Sequence, residues 1–231
     1  MADPRVASAL RWLEKHASKS VRDGMSRYAI PNDHALGVRM GDIQKLAKQL
    51  GRDHGLALEL WKTGVYEAQM LAAYVDEPAR VTRAQMDAQA RAIDNWAICD
   101  TLCFALWVQT PHAFAMVRRW AASRREFVKR ASFALLASIA LKDERARETD
   151  FMRGLELIEK AAPDERNFVK KAVNWALRAI GSRNFALHRA AVGLSHKLTA
   201  STDTASRWIG RDALRQLSGA ATQRRLRAKS N

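Results

Sequence analysis

Two stretches of this chain repeat each other: "FVKRASFALLASIA" at residues 127–140 and "FVKKAVNWALRAIG" at residues 168–181. They share Phe, Val, Lys, Ala, Leu and Ile in register at an offset of 41 residues. In both, apolar residues recur every three or four positions, which is the spacing of one face of an α-helix. The stretches therefore predict two equivalent amphipathic helices. A chance similarity between two alanine-rich helices is the alternative.

An offset of 41 lies within the roughly 40 to 47 residues of HEAT-type helical pairs, which bury their apolar faces by stacking on neighbours. We therefore predict an all-α fold, a superhelical solenoid of HEAT-like antiparallel helix pairs with a concave basic face. Equivalent positions would form columns, so that Arg130 stacks above Lys171. No alternating run long enough for a sheet occurs. Helices are predicted near residues 3–18, 41–50, 54–62, 65–75, 80–91, 93–108, 111–121, 124–141, 147–161, 164–181, 184–197 and 203–217.

Length and composition indicate one folded domain. The chain has 231 residues, of which 48% are hydrophobic and 5 are prolines. That length can bury a sizeable core. We predict a single HEAT-like domain over residues 1–218, followed by a basic tail over 219–231, "GAATQRRLRAKSN", that is disordered beyond its first turn.

The charge balance points to a polyanionic partner. The chain carries 39 Lys and Arg against 24 Asp and Glu, a formal charge of +15. Nucleic acid and an anionic membrane surface are the candidates. The membrane is less favoured, because the longest charge-free run, 101–117, contains Gln109, Pro111 and His112. The first residues also lack a signal-peptide pattern. We expect a cytoplasmic monomer, associated with the nucleoid through DNA, and no membrane partner. Protein scaffolding is less favoured, since so basic a chain binds nucleic acid regardless.

Basic and aromatic residues share stripes on the two repeated helices. Lys171, Trp175 and Arg178 lie on one side of the second helix, and on the first helix small residues leave space in front of Arg130. A tryptophan between two cations suits a nucleic-acid strand, because phosphates meet the charges while the indole packs on a sugar or base. Alternatively, Trp175 is a core residue flanked by extended cationic stems. The two interpretations differ in the exposure of Trp175.

The stretch "NWAICD", residues 95–100, places a carboxylate one turn after a tryptophan. Trp96 and Asp100 are four residues apart and project from the same side of a helix. An aspartate buried without a partner would cost several kcal/mol, so Asp100 must be hydrogen-bonded, paired or in a wet groove. On these residues alone a salt bridge to Arg130 is favoured. The alternative is a cleft walled by Trp96 and Trp175, in which the carboxylate meets a developing positive charge.

Two cysteines, Cys99 and Cys103, lie one turn apart on the same predicted helix. No histidine or further cysteine follows at metal-ligand spacing, so two core thiols are favoured over a metal or redox role. We expect neither a metal nor a cofactor.

Several motifs together resemble the bacterial DNA alkylation-repair glycosylases of the AlkD type, which are built from HEAT-like repeats. The resemblance runs from about Met25 to Leu217. It rests on "MSRYAIPNDHALGVRMGDIQKLAK" at 25–48, "NWAICD", the arginine of "FVKRA" and the tryptophan of "FVKKAVNWALR". It implies that Asp100 is the catalytic carboxylate and that Trp96 and Trp175 are catalytic-site tryptophans. It also implies that Arg130 contacts the DNA backbone and that Tyr28 is an aromatic at the DNA-facing edge. Lys171 and Arg178 are expected to bind DNA beside them. One position departs from the family, since Asn95 stands where relatives often have a second aromatic.

The resemblance implies a monofunctional DNA glycosylase. Such an enzyme hydrolyses the N-glycosidic bond of cationic N3- or N7-alkylated purines in duplex DNA, without flipping the base into a pocket. A cationic purine leaves as a neutral base, so no protein acid is required. The alternative is a non-catalytic HEAT-like protein that binds bent, branched or damaged DNA and uses Asp100 as a structural partner of Arg130. Because one fold supports several functions, the fold alone does not decide between them.

Overall fold

The computed structural model describes residues 3–228, whose regular structure is helical. The prediction of an all-α fold is therefore confirmed for this part of the chain. The described residues form two compact units, of which the first ends at Pro111 and the second begins at His112.

The first unit contains seven of the α-helices found in residues 3–228. They are α1 (Pro4–Lys15), α2 (Lys19–Gly24), α3 (Met40–Leu50), α4 (His54–Lys62), α5 (Tyr66–Val75), α6 (Arg83–Ala92) and α7 (Trp96–Thr101). A 3-10 turn follows α2 at Met25–Tyr28, and a π-helical turn at Leu102–Leu106 and a 3-10 turn at Trp107–Gln109 follow α7. The central helix is α5, which packs against α1, α3, α4 and α7. Its small buried residues, including Ala68, Ala72 and Ala73, allow that close packing on several sides.

The second unit contains the remaining seven α-helices of residues 3–228. They are α8 (Ala113–Trp120), α9 (Glu126–Lys142), α10 (Glu148–Ala161), α11 (Asn167–Ile180), α12 (Phe185–Thr199), α13 (Thr204–Leu217) and α14 (Ala220–Ala228). Consecutive helices pack in pairs, α8 with α9, α10 with α11, and α12 with α13. The second members of the pairs also contact each other in the order α9, α11, α13. Gly210 permits the close approach of α12 and α13, because a Cβ there would lie 2.6 Å from the Ser195 carbonyl oxygen.

The internal repeat corresponds to the contact between α9 and α11. Phe127 and Phe168, the first residues of the two copies, pack with ring centroids 5.4 Å apart. Equivalent positions of the two copies thus stack on each other, as the repeat predicts. The cations do not share one environment, however, since Arg130 is buried and Lys171 is exposed.

Two differences from the predicted helices have local causes. The single helix predicted over 93–108 is interrupted: α7 begins only after Asn95, and it passes into the π-helical turn at Leu102. In the tail, α14 occupies residues for which disorder was expected. It is held by Leu226, which is fully buried, and by the Thr222 hydroxyl, which donates to the Gln216 carbonyl oxygen at 2.9 Å. Residues 229–231 of the predicted tail lie outside the described residues.

Candidate functional site

The predicted site residues divide between the two units. Tyr28, Trp96 and Asp100 belong to the first unit. The second unit holds Arg130, Lys171, Trp175 and Arg178.

Trp96 is the first residue of α7, and Asn95 fixes that helix start. The Asn95 side-chain oxygen accepts hydrogen bonds from the backbone N–H groups of Ala97 at 3.1 Å and Ile98 at 3.0 Å. Asparagine is among the preferred residues at this position, because it satisfies N–H groups that have no partner within the helix. Asn95 is only 2% exposed. The residue that departs from the family pattern is therefore the one that sets the position of Trp96.

A hydrogen bond joins the two motifs of the first unit. The Trp96 indole Nε1 donates to the Tyr28 carbonyl oxygen at 2.8 Å, across 68 residues of sequence. Tyr28 itself ends the 3-10 turn with its side chain 68% exposed. The next residue, Ala29, has a left-handed backbone with φ of 53°, which turns the chain away. An exposed tyrosine thus lies beside a tryptophan whose ring orientation is fixed by its own N–H.

A buried glutamate that was not among the predicted site residues holds the loop after Tyr28. The Glu67 carboxylate accepts three backbone hydrogen bonds, from Leu36 at 2.9 Å, Gly37 at 2.6 Å and Val38 at 3.2 Å. Gly37 has φ of 83°, and a Cβ there would lie 2.2 Å from the Ser18 carbonyl oxygen. The only available signal was the "ALGV" sequence within the family-like motif, which gives no indication of a carboxylate 30 residues later.

Asp100 lies in the last turn of α7, one turn after Trp96, and is half-buried. The neighbouring Cys99 is fully buried, so the chain turns its apolar side inward there and leaves Asp100 partly in contact with solvent. The π-helical turn that begins at Leu102 follows immediately. Turns of this kind are rare within helices and are frequent at functional sites.

Arg130 is more enclosed than its small neighbours suggested. It is 6% exposed, and its guanidinium donates to the Phe168 carbonyl oxygen at 2.8 Å. The guanidinium carbon also lies 6.0 Å from the centroid of the Phe168 ring. The space expected in front of Arg130 is thus partly occupied by the start of α11. Its contact with the DNA backbone stays a prediction.

The stripe on α11 is more accessible than Arg130. Lys171 is exposed, and Trp175 and Arg178 are half-buried. Trp175 and Arg178 line a surface cavity of about 220 Å³, together with Leu141, Ala179, Ser182, Gln216 and Arg225. The Trp175 side chain therefore has part of its surface at a cavity rather than in the core.

Arg178 is held by the hydrogen bonds that it donates to α13 and to its own helix, α11. Its guanidinium donates to the Gln216 side-chain oxygen and, at 3.3 Å, to the Asn174 carbonyl oxygen. The Asp212 carboxylate lies 3.8 Å from it. Asp212 also accepts a hydrogen bond from the Asn174 amide at 2.7 Å. These contacts leave Arg178 positioned beside Trp175 and only partly neutralised.

Potential metal ligands and the two thiols lie in residues 3–228. In this part of the chain, no three histidine, cysteine, aspartate or glutamate side chains are grouped so that they could hold a metal ion. Cys99 and Cys103 are both buried in the core as reduced thiols. Over the same residues every helix is too short or too polar to cross a membrane.

Comparison with known proteins identifies relatives of the sequence and of the fold. A sequence model described as DNA alkylation repair enzyme matches residues 9–217. A solved structure that is 20% identical has a TM-score of 0.75, covering 91% of this chain and 94% of its own. It comes from "a new family of proteins related to the HEAT-like repeat DNA glycosylases with affinity for branched DNA structures". At this identity the likeness shows the fold, and it confirms the HEAT-like architecture. No curated protein sequence matches the chain.

Proposed function

The chain belongs to the DNA alkylation repair enzyme family, and on that premise we propose that it is a monofunctional DNA glycosylase. Its substrate is duplex DNA that carries cationic N3- or N7-alkylated purines. The reaction is hydrolysis of the N-glycosidic bond, with Asp100 as the catalytic carboxylate and with Trp96 and Trp175 as aromatic walls. No cofactor takes part. The protein acts as a cytoplasmic monomer that associates with the nucleoid through DNA.

The arrangement of α7 carries this proposal. Asp100 is half-buried one turn after Trp96, and the Trp96 indole is held by the Tyr28 carbonyl oxygen at 2.8 Å. A carboxylate and an aromatic ring are both suited to a cation, the first through charge and the second through its π face. Their common helix fixes the spacing between them. This pair is what a positively charged sugar requires.

The chemistry needs little beyond that pair. In a purine alkylated at N3 or N7 the ring is already cationic, so the bond from N9 to the sugar C1′ breaks with both electrons passing to the base, which leaves neutral. The deoxyribose becomes oxocarbenium-like, and the Asp100 carboxylate stabilises its charge. Water then adds to C1′, and its proton passes to Asp100 and on to solvent. Excess positive charge on the protein does not oppose the reaction, because Asp100 supplies the local negative charge.

Cations of the second unit would hold the DNA backbone. Lys171 is exposed, and Arg178 is fixed beside Trp175 by Gln216 and Asn174. Both can face phosphates, with Arg130 as a third contact at the start of α11. The DNA-facing role of these cations, the concave basic face and the contribution of Tyr28 at its edge are parts of the same proposal. Phosphate contacts of this kind position the duplex without reading its sequence.

The test is release of 7-methylguanine from methylated duplex DNA. Wild-type protein should release the base, and Asp100→Asn should lower the rate by about 10- to 1000-fold, because the side chain keeps its shape and loses its charge. Glu14→Gln, which removes an exposed carboxylate of α1 in the same unit, is the control and should retain the wild-type rate. Equal release by Asp100→Asn and wild type would remove Asp100 from the catalytic role.

A second function is favoured by the fold neighbour and by the burial of Arg130. In this alternative the chain is a non-catalytic HEAT-like protein that binds bent, branched or damaged DNA, and Asp100 is a structural residue. It predicts that wild-type protein releases no base and binds a four-way junction more tightly than a linear duplex of the same length. Asp100→Asn would then lower the melting temperature without any effect on DNA chemistry.

A further inference from the structure

We propose that the exposed side of α13 around Trp208 is a binding site for an unpaired segment of single-stranded DNA. This surface lies outside the residues assigned above to excision. The inference rests on the proposed function only in taking DNA as the partner, and it requires no glycosylase activity.

The site is a surface cavity with a basic and aromatic lining. Its volume is about 500 Å³, and it is lined by Thr204, Arg207, Trp208, Arg211, Asp212 and Arg215. These residues recur at three- and four-residue spacing, so they form one stripe along α13. The opposite side of the helix is the packed one, where Ala205, Ile209 and Ala213 are buried. The stripe is therefore the solvent side of a helix whose core contacts are already complete.

Trp208 is the unusual member of this stripe. It is 40% exposed, although a tryptophan buries a large apolar area when it belongs to a core. The Lys170 ammonium of α11 lies 5.0 Å from the centroid of its ring. An exposed indole with a cation over one face of its ring matches the combination that binds single strands, in which a base stacks on an aromatic ring while phosphates meet the charges.

The charges around Trp208 leave a positive surface. Asp212 is the acidic member of the lining, and Arg215 and Asn174 already bond to it. Arg207 donates to the carbonyl oxygens of Ser201 and Thr202.

Arg211 is the lining cation best placed for a phosphate. It is exposed, and within residues 3–228 no carboxylate forms an ion pair with it. Together with Lys170 it can meet successive phosphates on either side of a base held at Trp208. The positive surface thus has two cations that are available to a strand.

The choice of an unpaired strand over a duplex follows from what a ring face can contact. In a duplex both faces of every base are covered by neighbouring bases, so an indole on a helix surface reaches only sugar and phosphate. An unpaired base exposes its faces and can stack on Trp208. The Asp212 bond to Asn174 also joins this surface to α11. A strand at Trp208 would therefore lie next to Lys171 and Trp175, where a duplex is proposed to bind.

The experiment compares Trp208→Ala with Phe185→Ala, a matched variant because Phe185 on α12 is also 40% exposed. Binding is measured by fluorescence anisotropy with a labelled 20-nucleotide thymine strand and with a 20-base-pair duplex. Trp208→Ala should weaken single-strand binding by about 5- to 150-fold, the range for loss of one stacked base. It should change duplex binding by less than about 2-fold. Phe185→Ala should change neither.

Two further results complete the test. Arg211→Ala should reduce the slope of log affinity against log salt for the single strand by about 0.7, the value for one phosphate contact. The inference is overturned if Trp208→Ala behaves like Phe185→Ala, or if it weakens single strand and duplex equally. Release of 7-methylguanine by the same variants keeps the two proposals apart. Normal release with unchanged strand binding in Trp208→Ala removes this site and leaves the glycosylase proposal intact.

Discussion

The two units hold their candidate residues by different means. In the first unit, Tyr28 and Trp96 lie at irregular points of the backbone, and single polar groups fix them: the Asn95 side chain caps α7, and the Tyr28 carbonyl oxygen accepts from Trp96. In the second unit, Lys171, Trp175 and Arg178 lie on one regular helix, α11, which packs between α9 and α13.

The two units are therefore sensitive to different kinds of substitution. A position set by one polar side chain is lost when that side chain is replaced, since the buried backbone groups it served lose their partners. A position set by helix packing depends on many small contacts and tolerates the loss of any exposed one. We therefore expect substitutions at polar anchors to act mainly through stability in the first unit. In the second unit, exposed substitutions should act mainly on function.

The largest effect is expected from a pair of tryptophans, one in each unit. Trp107 is fully buried, so Trp107→Ala should lower the free energy of unfolding by about 3 to 5 kcal/mol. Trp175 is half-buried at a cavity, so Trp175→Ala should lower the free energy of unfolding by less than Trp107→Ala does. Its rate of base release should fall by more than this loss of stability explains. Urea denaturation and 7-methylguanine release measure the two effects. Equal destabilisation by both variants would show that Trp175 is a core residue.

Glu67→Gln tests the polar anchor of the first unit. The glutamine keeps one acceptor oxygen but turns an amide donor toward backbone N–H groups that now bond to the carboxylate. We expect a loss of about 2 to 3 kcal/mol of stability, measured by thermal unfolding. Glu59→Gln is the control and should change stability by less than about 0.5 kcal/mol, because Glu59 is partly exposed and pairs with the exposed Lys62. A Glu67 variant as stable as the control would show that the loop does not depend on its anchor.

Arg130 and Lys171, which occupy equivalent positions of the repeat, separate stability from DNA binding within the second unit. Arg130→Ala removes a buried hydrogen bond to Phe168 and should cost about 2 kcal/mol, whereas Lys171→Ala should change stability by less than about 0.5 kcal/mol. If both meet phosphates, each variant should reduce the slope of log duplex affinity against log salt by about 0.9. Binding titrations at several salt concentrations measure this. An unchanged slope for Arg130→Ala would leave it a structural residue, with Lys171 on the DNA face.

The smallest effect is a pH dependence at Asp164. The Arg166 guanidinium, followed by the Lys129 ammonium at 2.8 Å, holds the pKa of the Asp164 carboxyl well below its ordinary value. Because the folded pKa is the lower one, this pairing stabilises the fold above the ordinary aspartate pKa of about 3.9, and the contribution is lost as pH falls through the folded pKa. Asp164→Asn should therefore be less stable near pH 7 by about 0.5 to 1 kcal/mol. The difference should narrow below about pH 4. Asp33→Asn, at an exposed site, should show no such narrowing in urea midpoints measured from pH 7 to pH 2.

Sequence reasoning predicted the features that depend on local periodicity. The offset of 41 residues placed α9 against α11, and Phe127 does stack on Phe168. The offset could not predict that Arg130 is buried while Lys171 is exposed, because that difference depends on the Phe168 backbone and on the neighbours that pack against each helix. Identical spacing in a repeat specifies register, and exposure is decided by neighbours that differ from one copy to the next.

Three other features show the limit of helical patterning. The apolar periodicity of 93–108 continues through Asn95, so the pattern alone does not reveal that α7 starts there, although asparagine before a helical run is a known start signal. The short helix α2, capped by the Ser18 hydroxyl, was missed because six residues carry too little periodicity. Leu226 is the only large apolar residue of α14, and it gave too weak a signal against the five basic and polar residues of that helix. The roles of Asp100, Trp96 and Trp175 stay predictions of the family resemblance.

The hydrogen bond between Trp96 and Tyr28 also has a consequence for the entropy of binding. A free tryptophan side chain on a surface samples several rotamers, and ordering it when a ligand arrives costs about 0.5 to 1.5 kcal/mol. Here the indole N–H is already engaged with a backbone oxygen, so its rotational freedom is lost when the first unit folds. In the proposed reaction, a cationic sugar that reaches this ring would meet a surface that is ordered in advance, so the cost of that ordering would not offset the attraction between them.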